Sequence, residues 1–266
     1  MQTSLRTISR NHIRPLTKRT LNARSAPVKR PLEAAGHWRG GSPSILECGG
    51  LAPLCYPPPM FGLTPCETAT LRRLSTPRKI QDFLDRIPIN FEKHGDTHMS
   101  PRRVLRERKA HCVEGALVAA AALWLHGKPP LLLDLKTIEF DDEHVVALFK
   151  EHGRWGAISK TNHAVVRYRD PIYKTIRELA LSYYHEYFRD DGLKTLASYS
   201  RPFDLRTMGD YWITTHEDLW EIDDKLNAIP HYQFVPKKNK PLIRRATPFE
   251  RRVVNTREWS KDDPRT

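Results

Sequence analysis

Cys112 and His144 are the two side chains whose types and spacing best suit chemistry in this sequence. Cys112 opens an Ala-rich apolar stretch with helical periodicity, which places it at the N-terminus of a predicted helix. The unpaired N–H groups and the positive dipole end at that position lower the pKa of a thiol. His144 begins a short apolar run typical of a strand, where an imidazole can take up the thiol proton. The pair therefore predicts a thiolate nucleophile with a base beside it.

Each of these residues also has an ordinary structural explanation. Cys112 suits the interior of an Ala-rich helix as a small buried side chain, and His144 suits the exposed start of a strand. His163 is a second candidate base, because it too precedes a predicted strand, although no Gly-x-Trp hairpin follows it. Asp170 would serve His163 as an acid, but Asp-Pro ahead of a periodic run indicates a helix N-cap.

At these positions the chain resembles the transglutaminase-like superfamily, whose fold is related to that of papain. That family places its cysteine at the start of a helix on a small antiparallel sheet, and its histidine opens a strand that leads into a Gly-x-Trp hairpin. Cys112 with Glu114 is similar to the cysteine segment, and His144 followed by Gly153–Trp155 is similar to the histidine hairpin. The separation of about thirty residues is also similar. The resemblance covers roughly residues 75–165 and implies a catalytic triad.

The third residue of the implied triad departs from the family pattern. The family has an Asp shortly after the tryptophan, whereas this chain has Ser159, whose hydroxyl carries no charge to stabilise a protonated imidazole. Asn162 is the nearest side chain able to accept a bond from the ring N–H of His144. Three alternatives stay open: Asn162 replaces the acid, an acid from elsewhere reaches the ring, or the site is weakened or inactive. The acids considered are Asp134, Asp141 and Asp142.

The resemblance implies acyl-group chemistry on a peptide or other amide substrate. Cys112 attacks the carbonyl, His144 protonates the leaving amine, and water or an amine then resolves the thioester. Water gives a peptidase or amidase, whereas an amine gives a transglutaminase. The N–H of Cys112 is the expected first oxyanion donor, and the Arg102–Lys109 segment is a candidate source of the second. No metal or organic cofactor is implied.

Two other functional classes remain open. The missing Asp favours a catalytically inactive interaction protein that keeps the transglutaminase-like fold. The basic ends of the chain favour a nucleic-acid-associated protein, but no interleaving of aromatic and basic residues supports that class.

Helix and strand signals predict an α+β fold with helices first, a small antiparallel sheet next and further helices after it. Pro77 and Pro101, each preceded by a serine or threonine, mark helix starts. Short apolar runs joined by turns predict antiparallel strands. These runs are Leu131–Leu135, His144–Phe149, Trp155–Ser159 and Ala164–Tyr168. Asp170 then predicts the start of another helix.

Positive charge is concentrated at the two ends of the chain. The 266 residues carry a net charge of +13, and residues 1–60 hold nine Arg or Lys but two Glu, a net charge of +7. Low apolar content there and after Pro236 predicts a disordered basic leader over 1–62, one folded domain over 63–235 and a disordered basic tail over 236–266. Such ends attract polyanions weakly and without sequence specificity.

The sequence predicts a cytoplasmic protein. No apolar run reaches membrane-spanning length, and no secretory signal is present. The spacing of Cys48, Cys55 and Cys66 matches no zinc pattern, so we expect Cys112 to be a free thiol in a reducing compartment. The Arg-rich, acid-free N-terminus also resembles an organelle transit peptide, which is the minor alternative.

Overall fold

The computed structural model describes residues 60–138 and 141–265. The predicted basic leader lies outside the described residues except for its last three positions, Met60–Gly62, which form a short 3-10 turn. Leu63, where we expected the folded domain to begin, is buried. The described part of the chain has an α+β fold in which four helices precede the sheet.

Seven α-helices and seven strands follow one another within the described residues. The helices are α1 (Pro65–Arg73), α2 (Pro77–Arg86), α3 (Pro101–Glu107), α4 (Cys112–Leu125), α5 (Ile176–Leu181), α6 (Trp220–Ala228) and α7 (Pro248–Val254). The strands are β1 (Leu131–Thr137), β2 (His144–Glu151), β3 (Arg154–Ile158), β4 (Arg169–Tyr173), β5 (Leu196–Ser200), β6 (Phe203–Asp204) and β7 (His231–Gln233). Across the described ranges, no helix has the length and apolar character needed to cross a membrane.

Two of the early helices begin where their capping residues predict. Thr76 precedes α2 and Ser100 precedes α3, and each side chain accepts a bond from the main-chain N–H three residues further on. Pro77 and Pro101 occupy the first helical position, where a missing N–H leaves nothing unpaired. Both predicted helix starts are confirmed.

The strands form one antiparallel sheet in the order β4–β3–β2–β1–β5–β7, with β6 also paired to β1. In the register of the central pair, Leu135 on β1 lies opposite His144 on β2. β2 and β3 form a tight hairpin that closes with Glu151 opposite Arg154. The first three predicted strands are confirmed with small shifts at their ends. The sheet is larger than predicted because β5, β6 and β7 extend it.

The strand predicted over Ala164–Tyr168 is wrong, and so is the helix predicted from Asp170. The chain forms β4 after this point and begins α5 only beyond it, with Thr175 as the N-cap. Pro171 is tolerated within β4 because β4 is an edge strand, where one side of the backbone has no strand partner. Asp170 is therefore a strand residue and not a helix cap.

Apolar side chains cover both faces of the sheet. Along β2, Ala147 and Phe149 join the cluster that includes the early helices, while Val146 and Leu148 join the cluster on the other face. This alternation is the period of two that a strand imposes. α4 packs on β2 and is buried throughout Val113–Leu123. A helix fixed on all sides in this way holds its N-terminus at a defined place.

The residues after Pro236 do not form the separate disordered tail that we predicted. The chain forms a 3-10 stretch over Lys237–Leu242 and then α7, and the side chain of Trp259 is buried. Main-chain bonds to distant segments hold this region, such as the bond from Ala246 N–H to the carbonyl of Gly192 at 2.8 Å. Composition and periodicity carry no information about contacts between distant segments, which is why the prediction of a disordered tail was wrong.

Candidate active site

The N-terminus of α4 brings Cys112 to a cleft. His111 is the N-cap of α4 and Cys112 is its first residue, so the predicted position of the thiol is confirmed. The N–H groups of this first turn have no partner inside the helix. The thiol is half-buried and lines the cleft, where it can meet a ligand.

Glu114, in the first turn of α4, fixes the loop that leads to the cysteine. Its side chain is fully buried, and its carboxylate accepts bonds from Met99 N–H (3.1 Å), His111 N–H (2.9 Å) and the Thr97 hydroxyl (2.8 Å). The amide of Asn90 donates to the same carboxylate at 3.2 and 3.3 Å. A carboxylate tolerates burial only when donors like these replace water. The start of α4 is therefore rigidly placed.

His144, the first residue of β2, lines the same cleft as Cys112, and its nearness to the thiol lowers the pKa of Cys112. Its Nε2 lies 2.8 Å from the hydroxyl of Ser159. That hydroxyl donates its single proton to the carbonyl of Val166 at 2.6 Å, so it must accept from the Nε2–H of His144. With Nε2 protonated, Nδ1 is the ring nitrogen that can take up a proton from the thiol.

Ser159 is itself held by a two-point contact with α2. Its N–H donates to Gln81 Oε1 at 3.0 Å, and Gln81 Nε2 donates back to its carbonyl at 2.8 Å. Asp85 accepts a second bond from the same Nε2 at 2.8 Å, which fixes the amide orientation. The hydroxyl behind His144 is thus positioned by a buried clamp between α2 and the end of β3.

The surroundings of Cys112 favour the thiolate. Burial raises the pKa of the thiol, but hydrogen bonds from His111 and His144, together with their charges, lower the pKa from 9.0 to about 5. A thiol with this pKa is mostly ionised at neutral pH, and the thiolate is the nucleophilic form.

His111 also lies against the sulfur; from the sequence, tuning of the thiol was one interpretation of this residue, and ending the preceding turn was the favoured one. Its Nδ1 is 4.0 Å from Cys112 Sγ, and its Nε2 is 2.7 Å from the carbonyl of Thr97. Burial lowers the pKa of His111, but the bond to Cys112 and the charges of Glu114 and the thiolate raise it to about 10. The imidazoles of His111 and His144 therefore both act on the Cys112 sulfur.

Asn162 does not take the place of the missing Asp. Its Nδ2 donates to the carbonyl of Trp259 at 3.0 Å, and its Oδ1 accepts from the N–H of Trp259 at 2.8 Å. Both ends of the amide are therefore bonded to the C-terminal segment. The side chain that bonds His144 Nε2 is Ser159, which was an alternative site residue from the sequence.

His163, the rival base, faces the C-terminal segment as well. Its Nδ1 lies 2.8 Å from the carbonyl of Val254 and contacts the guanidinium of Arg257. Burial, followed by the charge of Arg257, lowers its pKa. The ring lines the cleft, but its polar contacts tie it to the cleft wall and not to the sulfur.

The acids considered as partners of His144 have other partners or positions. Asp134 Oδ2 lies 3.1 Å from Nε2 of His231, and burial raises the pKa of this carboxyl. Asp141 and Asp142 line the cleft just ahead of β2, and Asp141 Oδ1 accepts a bond from the N–H of Asp142 at 3.0 Å. The hydroxyl described above remains the partner of the imidazole.

Lys160 is a buried cation beside the site. Its Nζ donates to the carbonyls of Leu84 (2.8 Å) and Ile87 (2.5 Å) at the end of α2, and burial lowers its pKa from 10.5 to about 8. A Cβ on Gly115 would lie 2.4 Å from Lys160 Cβ. Only glycine therefore allows α4 to approach this residue so closely.

The cleft has a volume of about 630 Å³. This is within the range of roughly 300–1,000 Å³ that is typical of ligand pockets. Besides Cys112 and His144, its walls include residues 160–163, residues 186–191 and the end of α7. The C-terminal segment thus forms part of the wall of the candidate site.

The Arg102–Lys109 segment, the candidate source of the second oxyanion donor, contributes no residue to the lining of the cleft. Arg106 contacts Nδ1 of His216 at 3.0 Å, and Arg108 is the left-handed C-cap of α3. Neither residue lines the cleft. The main-chain N–H of Cys112 remains the donor that the start of α4 supplies.

Sequence reasoning missed Gln81 and ranked a structural role of His111 above its contact with the sulfur. The signal for Gln81 was weak: a polar residue next to Ile80 in the apolar stripe of α2. For His111 the signal was its place directly before the cysteine.

No protein-family model matches this chain, and no curated protein matches it in sequence. The class of protein must therefore be inferred from the geometry of the cleft and from the residues themselves.

Proposed function

We propose that this protein is a cysteine-dependent acyl-group enzyme of transglutaminase-like type that acts on a peptide or other amide. The observation that carries the proposal is that Cys112, at the start of a buried helix, shares its cleft with His144, whose ring is hydrogen-bonded to Ser159. A nucleophile, a base and a residue that orients the base are the parts that covalent catalysis requires.

The reaction begins with attack of the Cys112 thiolate on the amide carbonyl. The S–C bond forms, the carbonyl electrons move to oxygen, and the N–H of Cys112 donates to that oxyanion. His144 gives its proton to the departing amine, and a thioester remains. Water or an acceptor amine then loses a proton to His144 and attacks the thioester, which releases the thiolate.

The transglutaminase-like assignment has local support. α4 packs on an antiparallel sheet, and His144 opens the strand that leads into the β2–β3 hairpin. Trp155 lies in that hairpin opposite Lys150. These are the positions that the resemblance implied for the cysteine helix and the histidine strand.

One observation favours an inactive protein of the same fold as the second candidate. The residue behind His144 is a neutral hydroxyl, so no carboxylate stabilises the imidazolium from that side. Such a protein would keep the cleft as a binding surface and form no thioester.

Burst kinetics with p-nitrophenyl acetate test the proposal. We expect one equivalent of nitrophenolate to be released rapidly per chain, because Cys112 accepts the acetyl group faster than water removes it. Cys112→Ala should abolish the burst, and His144→Gln should slow it. Cys66→Ala, at the other cysteine among the described residues, is the matched control and should keep it.

A folded wild-type protein without a burst would reject the enzyme and favour the inactive candidate. In the active case, methylamine added to the same assay separates the two chemistries. Acetylated amine indicates an acyltransferase, and free acetate at an unchanged rate indicates a hydrolase.

A further inference from the structure

A second imidazole touches the reactive sulfur, and the proposed triad leaves it without a role. The Nδ1 of His111 is 4.0 Å from Cys112 Sγ. His144 is already the base in the reaction proposed above. Proton transfer alone needs one imidazole, so the second requires a separate explanation.

The partners of His111 favour its doubly protonated form. Its Nε2 lies 2.7 Å from the carbonyl of Thr97, which can only accept, so that nitrogen carries a proton. The same nitrogen is 3.4 Å from the buried carboxylate of Glu114 and 3.7 Å from that of Glu92. A second proton on Nδ1 gives a cation between these carboxylates and the thiolate of Cys112.

We propose that His111 is a second catalytic histidine, the cation that keeps Cys112 ionised so that His144 is left to move protons. This inference rests on the acyl-group function proposed above, because it assigns one step of that reaction to each imidazole. His111 stabilises the thiolate, and His144 transfers protons.

With these two roles, the bonds and protons balance over one catalytic turnover. The thiolate attacks the amide and the S–C bond forms; the C–N bond breaks as protonated His144 gives its proton to the amine. Neutral His144 then takes a proton from water as the water oxygen attacks the thioester. The C–S bond breaks, and sulfur leaves as a thiolate beside the cation of His111. While the sulfur is acylated and neutral, Glu114 still balances that cation.

The titratable groups that face this ring come from several elements, and the bond to Cys112 with the charges of Glu114 and the thiolate raises the pKa of His111 to about 10. They are Cys112 and Glu114 on α4, Glu92 in the loop before α3, His98 with its ring centroid 5.4 Å away, and His144 on β2 across the sulfur. Negative groups bond the ring directly, which is why the cation is favoured although it is buried.

The pH dependence of Cys112 alkylation by iodoacetamide, followed on its peptide by mass spectrometry, tests this role. The wild-type rate should have its inflection near pH 5. His111→Gln should raise the inflection by at least one pH unit, which lowers the rate at pH 5 by about fivefold or more. His126→Gln, at the other end of α4, is the matched control and should keep the wild-type inflection. An unchanged inflection in His111→Gln overturns the proposal.

A second measurement needs no variant, in case the substitution disturbs the helix start. Ring-nitrogen NMR shifts of the histidines in the wild-type protein should show His111 as an imidazolium at pH 8, and a neutral ring there overturns the proposal. Different results reject the acyl-group enzyme and the cationic role of His111. A missing acetyl burst with His111-dependent alkylation rejects the enzyme, whereas a normal burst with a neutral His111 rejects only this division of labour.

Discussion

At Ser159 a neutral hydroxyl accepts the bond that a carboxylate accepts in a charged triad. The 2.8 Å bond orients the imidazole of His144 and fixes which nitrogen carries the proton, but it adds no negative charge. Gln81 holds the main chain of Ser159 at both its N–H and its carbonyl. Orientation is therefore the contribution that this residue can make to the reaction.

Ser159→Ala should slow the acetyl burst about tenfold, because loss of one hydrogen bond of about 1–1.5 kcal/mol lets the imidazole rotate. The measurement is the burst rate with p-nitrophenyl acetate. Ser200→Ala is the matched control, since this buried hydroxyl on β5 accepts a bond from the N–H of Asp134 and lies outside the cleft lining. It should lower stability and keep the burst. A wild-type burst rate in Ser159→Ala would remove Ser159 from the site.

Lys160, just after β3, connects β3 to α2 and α4 behind the candidate site. Its Nζ bonds the last carbonyls of α2, and its stem packs on Gly115 of α4. Lys160 directly follows Ser159, whose main chain is hydrogen-bonded to Gln81. The end of β3 is therefore bonded to α2 at two adjacent positions. This contact sets the distance between the cysteine helix and the strand hairpin that carries His144.

The buried amine gives stability a pH dependence with a definite sign. Lys160 loses its proton at about pH 8 when folded and near 10.5 when unfolded, so between these values the unfolded chain binds more protons. The free energy of unfolding of the wild type relative to Lys160→Met should therefore rise with pH from about 8 to 10.5. Urea titrations at several pH values measure it, with Lys150→Met at an exposed position as the control. A flat or falling difference would contradict the buried cation.

The elements that could be predicted from the sequence are those fixed by local signals. Pro77 and Pro101 mark helix starts by their own geometry, and His144 and Ser159 are only 15 residues apart, within one hairpin. Pro171 could not be interpreted correctly, because its tolerance depends on β4 being an edge strand. Asn162 was misplaced because its partner lies 97 residues further along the chain.

At the scale of the whole described domain, the C-terminal segment completes the cleft. Asn162 bonds the main chain of Trp259 on one side of this segment, and the side chain of Asn255 donates to Asp190 at 3.3 Å on another. The end of α7 lines the cleft between these contacts. The segment therefore joins two parts of the chain that border the candidate site.

Asn162→Ala should loosen the C-terminal segment and leave the low-pH reactivity of Cys112 unchanged, because the amide bonds Trp259 and not His144. Trypsin should then cut faster after Arg252 and Arg257, as measured by the appearance of the C-terminal fragments. Asn227→Ala, a substitution on α6, is the control for proteolysis. If alkylation at low pH were lost while proteolysis stayed at the wild-type rate, Asn162 would belong to the triad after all.

The measurement that tests the central claim most directly is the trapping of the acyl-enzyme. The protein is mixed with p-nitrophenyl acetate, quenched in acid during turnover, digested and mapped by mass spectrometry. The account predicts one acetyl group on the Cys112 peptide, less of it at the same time point in His144→Gln, and none in Cys112→Ala. A folded protein that carries no acetyl group at Cys112, or carries it on another residue, would contradict the assignment of Cys112 as the nucleophile.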